Sequence, residues 1–169
     1  MEFFTESGQV FTNPDDLFYL KTEEKDNNGI VSLIFYNLML GLVIGLFTGD
    51  LLVTGILLVV FVISQLIFKF VESLFVFIFA RLLGGSGSLM NTFNLISYSS
   101  VLNILLIVGI ALATLGKVVI IPLIFLVFLW KMVIEIIAVS EEHSLGYAKS
   151  FLSTVGIPLI IFVILVGLI

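Results

Sequence analysis

The run RLLGGSGSLMNTFNLISYSS, residues 81–100, sets five glycines and serines in a row, Gly84 to Ser88, between two strongly apolar stretches. A phosphate-cradling loop, a flexible hinge and a turn at a membrane surface would all use such residues. A P-loop needs Gly-Lys-Ser/Thr after its glycines and a strand before them, and this run has neither. The flanks decide the matter, because they are rich in Leu, Ile, Val and Phe over lengths that suit a bilayer.

That richness extends over the whole chain. Of the 169 residues 60% are hydrophobic, 17 are phenylalanine and only 11% are charged, with a mean hydropathy of +1.30. A single soluble core of this size cannot bury so much apolar surface, so lipid is the natural solvent. The formal net charge of −5 is concentrated at one end. Residues 1–29 hold Glu2, Glu6, Asp15, Asp16, Glu23, Glu24 and Asp26 against Lys21 and Lys25, seven acids to two bases, which alone gives −5. From residue 30 onward acids and bases balance at five each, so there is no basic footprint for nucleic acid. With no cysteine, disulfides and thiolate metal sites are excluded. The start, MEFFTESGQVF, lacks the basic region and apolar run of a signal peptide.

Crossing a bilayer takes roughly 20 apolar helical residues. Five segments qualify, 30–47, 51–83, 93–115, 118–139 and 151–169, and the short breaks between them imply an antiparallel bundle. The second is too long for one perpendicular span, so it either tilts and protrudes or breaks near Lys69. Pro122 and Pro158 are expected to kink their helices. Before the first span, TNPDDLFYLKTEEK reads as a short helix with Asn13 as its cap, Pro14 at its first position, and Asp15 and Asp16 near its positive end. Leu17, Phe18 and Leu20 give that helix an apolar side, which predicts that it lies on the membrane surface. The expected fold is therefore all-α: a polytopic bundle of five transmembrane helices (30–169) preceded by an acidic head with an amphipathic helix (1–29). Counting positive charges, Lys21, Lys25, Arg81 and Lys149 share one side against Lys117 on the other, which puts the N-terminus in the cytoplasm and the C-terminus outside.

Charges inside spans are costly and are functional suspects. From the outer helix ends, Lys69 and Glu135 lie roughly 26 Å in, Glu72 about 31 Å and Lys131 about 20 Å. Gln65, Lys69 and Glu72 share one helix face by spacing, as do Lys131 and Glu135. The expectation is an inward polar cluster, joined by Asn94, Tyr98 and Asn103 of the third span, with Lys69–Glu135 and Glu72–Lys131 as ion pairs. Gly41, Gly45 and Gly49 repeat at the spacing of close helix approach, as do Gly109 and Ala113. They suit internal packing slightly better than a homo-oligomer seam. His143 is the only histidine, so no two-histidine metal site can form, and EEHS (141–144) reads as a solvated loop. No G-x-S-x-G elbow occurs. The chain reads as a non-enzyme, and nothing in it calls for a cofactor.

The run 81–100 resembles the centre of the Yip (Ypt-interacting protein) domain family of five-span membrane proteins. LWKMVIEIIAVSEEHSLGYAKS, residues 129–150, is similar to that family's second hallmark, an aromatic-bearing fourth span followed by a His-containing loop. VFTNPDDLFYL, residues 10–20, is similar to the amino-terminal segment of prokaryotic members. The resemblance implies five spans with a cytoplasmic N-terminus. In eukaryotic members it implies binding of Rab-type small GTPases and vesicle traffic; this chain, with a head under 30 residues, looks like a compact prokaryotic member of the cell membrane. The expected function is a membrane-organising scaffold that meets a protein partner through Arg81, Gly84, Gly85, Gly87, Glu141, Glu142 and His143. The alternative is a small transporter or channel built on the intramembrane polar cluster.

Overall fold

A computed structural model describes residues 2–112 and 120–167, and every element among them is helical. Two helices form the head, α1 (Glu2–Thr12) and α2 (Pro14–Glu24). Then come α3 (Asn28–Leu46), α4 (Leu51–Leu82), α5 (Leu89–Ser97), a 3₁₀ stretch (Tyr98–Leu102) and α6 (Asn103–Leu112). The last are α7 (Ile120–His143), α8 (Tyr147–Phe151), a π-turn (Leu152–Gly156) and α9 (Ile157–Gly167).

Four helical stretches are long and apolar enough to cross a membrane: α3, α4, the run 89–112 and most of α7. α4 is one unbroken helix of 32 residues, so the break considered at Lys69 does not occur. At 1.5 Å per residue it is about 48 Å long, well beyond a hydrocarbon core of about 30 Å. Asp50 starts it by accepting the Leu52 and Val53 amides at 2.8 and 3.3 Å. Side chains such as Val59, Ile63, Ile67 and Phe68 of α4 and Phe125, Leu126 and Phe128 of α7 are more than half exposed. Water does not tolerate a continuous apolar surface of this extent, whereas lipid requires one.

α3 runs along α4, and the glycine series explains how. A Cβ on Gly45 would stand 2.9 Å from the Thr54 Cα, while one on Gly41 would meet Leu58 and Phe61 at an ordinary 3.4 Å. Gly41 and Gly45 are thus internal packing positions. Gly49 is not part of that seam: it sits in the turn after α3 with φ +71° and nothing near its missing Cβ. Gly109 packs on Leu123, and its companion Ala113, like Gly116 and Lys117, lies outside the described residues.

The head departs from expectation in two ways. Residues 2–12 are helical, which their sequence had not announced, and Phe3 of α1 packs edge-on to Phe35 of α3 at 5.4 Å. The apolar side of α2 is turned inward: Leu17 and Phe18 are fully buried in one core with Val10, Tyr36, Tyr98, Val101, Val127, Ile134 and Ala138, and only Leu20 is exposed. Asn13 precedes α2 but gives its amide to Asp16 instead of capping the helix. Pro158 follows a π-turn, which frees the local hydrogen-bond ladder from its missing N–H, as a proline disturbance should. Pro122 lies in the first described turn of α7, which continues without a break.

Candidate functional site

Lys69, on α4, is buried and its ammonium bonds Glu135 of α7, as the depth count expected. The second expected pair does not form. Glu72 instead lies one turn along α4 with its Oε2 2.8 Å from the same Lys69 Nζ, so two carboxylates share one cation. Lys131 donates to Asn103 Oδ1 at 2.6 Å, and Asn103 donates to Asn37 Oδ1 at 3.0 Å. Asn37 donates in turn to the Leu33 carbonyl at 2.8 Å. This chain runs across the bundle from α7 through α6 to α3. Asn37 was missed in the sequence, although a lone Asn inside an apolar helix is the signal that finds it. Gln65 is half-buried and joins neither group.

Asn94 and Tyr98 belong elsewhere, and their partners come from the head. Tyr98 is fully buried and donates to Glu6 Oε2 at 2.9 Å. Glu6 also takes both Asn28 amide contacts at 3.0 and 3.1 Å and stands 2.7 Å from Lys21 Nζ. Lys21 is caged by Glu6, by Glu24 at 2.7 Å and by Asp26 at 2.5 Å. Burial disfavours its charge, but the surrounding carboxylates outweigh burial and hold its pKa above the ordinary lysine value. Asn94 donates to the Asp26 carbonyl at 2.8 Å and accepts the Ile30 amide at 3.1 Å, capping α3 from another helix. Gly29 makes that approach possible, since a Cβ there would fall 1.9 Å from the Asn94 carbonyl oxygen.

The Gly/Ser loop closes the same end of the bundle. Gly84 turns the chain after α4 at φ +96°, a region that glycine enters without steric cost. The loop then lies on the last turn of α7. Ser86 N–H donates to the His143 carbonyl at 3.2 Å, and Gly87 N–H to His143 Nδ1 at 3.2 Å. Because Nδ1 accepts, the proton is on Nε2, which faces Thr92 Oγ1 at 2.9 Å. The Glu142 carboxylate accepts from Ser88 N–H at 2.7 Å and from the Asn91 amide at the start of α5, where the helix dipole favours an anion. A Cβ on Gly85 or Gly87 would come within 2.9 Å of His143 or Glu142. His143 is therefore a buried clasp inside a helix, not a member of a solvated loop, and only 1% of it is exposed. Arg81 is exposed, reaches the Gly85 carbonyl at 3.4 Å and stands 5.4 Å over the Phe77 ring; Glu141 is half-buried. Tyr147 ties to Asp15 of the head at 2.5 Å, and Lys149 to the Leu83 carbonyl at 3.2 Å.

Among the described residues, no three His, Cys, Asp or Glu side chains group as metal ligands would. The site is a set of side-chain and backbone ties that joins the head, the Gly/Ser loop and the end of α7 at one end of the bundle. No curated protein and no solved structure matches the chain. The family model of the Yip1 domain matches residues 8–169, nearly the full length, and its match includes the Gly/Ser loop, the His143 clasp and most of the head. The chain is an integral, multi-pass membrane protein that belongs to the Yip1 domain family.

Proposed function

We propose that the protein is a non-enzymatic scaffold that docks a protein partner on the face where the head meets the Gly/Ser loop. The observation that carries this reading is the cage around Lys21 and Glu6, which fixes the head to the bundle through Tyr98. A head held in this way offers a preformed surface, which spares the ordering cost a flexible tail would bear on binding. Its exposed residues include Asp16, Glu23, Glu24 and Lys25, with Tyr19 56% and Leu20 49% exposed among them. An aromatic and an aliphatic anchor ringed by acids suits a partner with a basic rim and an apolar centre.

In this reading α8, the π-turn and α9 together make the fifth crossing. They form 21 consecutive helical residues, 147–167, about 31 Å long. With a fifth crossing, the charge count supports a topology in which the head, the Gly/Ser loop and the Tyr147–Lys149 segment are cytoplasmic and the C-terminus is outside. The Asn37–Asn103–Lys131 chain runs across the bundle, and this direction favours a register lock over a solute path. The test is photocrosslinking in native membranes from position 19 on the face and from position 51 at the far end of α4. The reading predicts a protein adduct from position 19, absent from position 51 and lost in Asp16→Lys/Glu23→Lys. Equal adducts from both positions, or none from position 19, would overturn it.

A further inference from the structure

α4 carries an unbroken stripe of apolar side chains along its outer face. Ile63, Ile67, Val71, Leu74, Ile78 and Leu82 follow one another three or four residues apart, and each is at least 37% exposed. A hydrocarbon core of roughly 30 Å that starts at Asp50 would end near Phe70 if α4 stood upright. The stripe does not change there. It continues to Arg81, about 46 Å from Asp50 along the helix. The charges of α4 between those two are Lys69, which is buried, and Glu72, which is half-buried and turned onto Lys69.

The neighbouring helix bears on what covers the far part. Lys149, near the start of the helical run 147–167, reaches the Leu83 carbonyl at 3.2 Å, and Thr154 and Pro158 share a groove with Phe75 and Phe79. Phe151 and Leu152, between these points, are exposed as well. That run is about 31 Å long, one core thickness. A core that stopped at Phe70 would leave its first half bare in water, whereas lipid up to Leu83 covers both helices. The opposite side of the bundle is shorter. Gly45 faces Thr54 and Gly41 faces Leu58, so the antiparallel count brings Gly29 level with Phe70. Asn94 against Gly29 and Phe93 against Phe70 at 5.5 Å agree with that count. α3 thus spans about 28 Å, and α4 runs about 18 Å past its start. An incline of about 40°, the upper end of what transmembrane helices show, brings 46 Å to about 35 Å, and lipid conforms to the remainder.

We infer that the outer face of α4 from Val71 to Leu82, with Phe151 and Leu152 beside it, is a docking surface for the acyl chains of the leaflet on the head's side. The headgroups of that leaflet meet Arg81 and Lys149, and the bundle stands inclined to seat the face while the head stays in water. The chain has no cysteine, so single cysteines can carry a spin label one at a time. The test places them at positions 19, 31, 67, 74 and 78 of the purified full chain in phosphatidylcholine nanodiscs and measures collisions with oxygen and with a water-soluble nickel chelate. Labels at 74 and 78 should match the label at 67, with chelate collisions roughly tenfold below those at 19 on the head, because hydrocarbon excludes a polar reagent. An upright bundle puts 78 about 15 Å nearer the water than 31, and the inclined one closes most of that gap. Chelate access at 74 and 78 equal to that at 19 would overturn the inference, as would the full depth gap. Exclusion of both reagents would put a protein, a second copy or another chain, on the face and overturn it too.

Discussion

Lys69 and Lys131 show how far single residues can be read in a membrane chain. Both are cations flanked by acids one turn away in an apolar helix, and matching depths correctly joined Lys69 to Glu135. Glu72 was given to Lys131 on opposite charge, although their depths differ by about 11 Å, and that pair does not form: Lys131 meets a neutral acceptor instead, Asn103 at 2.6 Å. The shared cation has a measurable consequence. Lys69→Met strands two carboxylates and should cost about 3–5 kcal/mol, whereas Glu135→Gln keeps the Glu72 pair and should cost about 1–2 kcal/mol. Thermal unfolding in mild detergent separates the two, and equal losses would show that the carboxylates do not depend on one lysine. His143 was legible as the sole histidine but not as a clasp, since the partner of its Nδ1 is a backbone amide 56 residues away that no side-chain pattern reports. His143→Ala should lower stability by roughly 1–3 kcal/mol, and His143→Asn, which restores an acceptor near the Nδ1 position, should recover part of it. The same assay decides, and an asparagine variant no better than alanine would mean the loop is held by something other than that acceptor.

At the scale of elements, long apolar helices were easy to read, because a bilayer demands uninterrupted runs and the sequence supplies them. α4 was legible in extent but not in continuity, since Lys69 and Glu72 look like a boundary until their partner on α7 is known. α1 was illegible. EFFTESGQVFT carries Gly8 and three phenylalanines, and so short a helix is marginal alone; contacts such as Phe3 on Phe35 hold it. The small-residue spacing in α3 was visible, and the structure assigns its use, the α3–α4 seam. Gly45→Ala must displace the backbone at Thr54 and should cost about 1–3 kcal/mol, while Gly41→Ala should stay within about 0.5 kcal/mol. Denaturation of the two variants side by side checks the contrast, and similar values would argue against close approach at Gly45.

For the whole molecule, composition and the family-like motifs were enough to expect a helical, multi-pass membrane protein of the Yip1 family. They were not enough to show that its first residues fold back. Leu17 and Phe18 read as a lipid-facing side because a sequence reports only that they are apolar; Tyr98 and Ile134, which cover them, come from distant parts of the chain. The acids of the head read in the sequence as a concentration of net charge, and the structure turns two of them, Glu6 and Asp26, onto a buried lysine. The central claim is that head and bundle form one rigid face. Hydrogen exchange of residues 14–24 in nanodiscs tests it most directly. The account predicts slow exchange of the Leu17–Lys21 amides, comparable to the last turns of α7, and a marked loss of that protection in Glu6→Ala. Exchange of those amides as fast as that of exposed Asn27, in the unmodified protein, would contradict it.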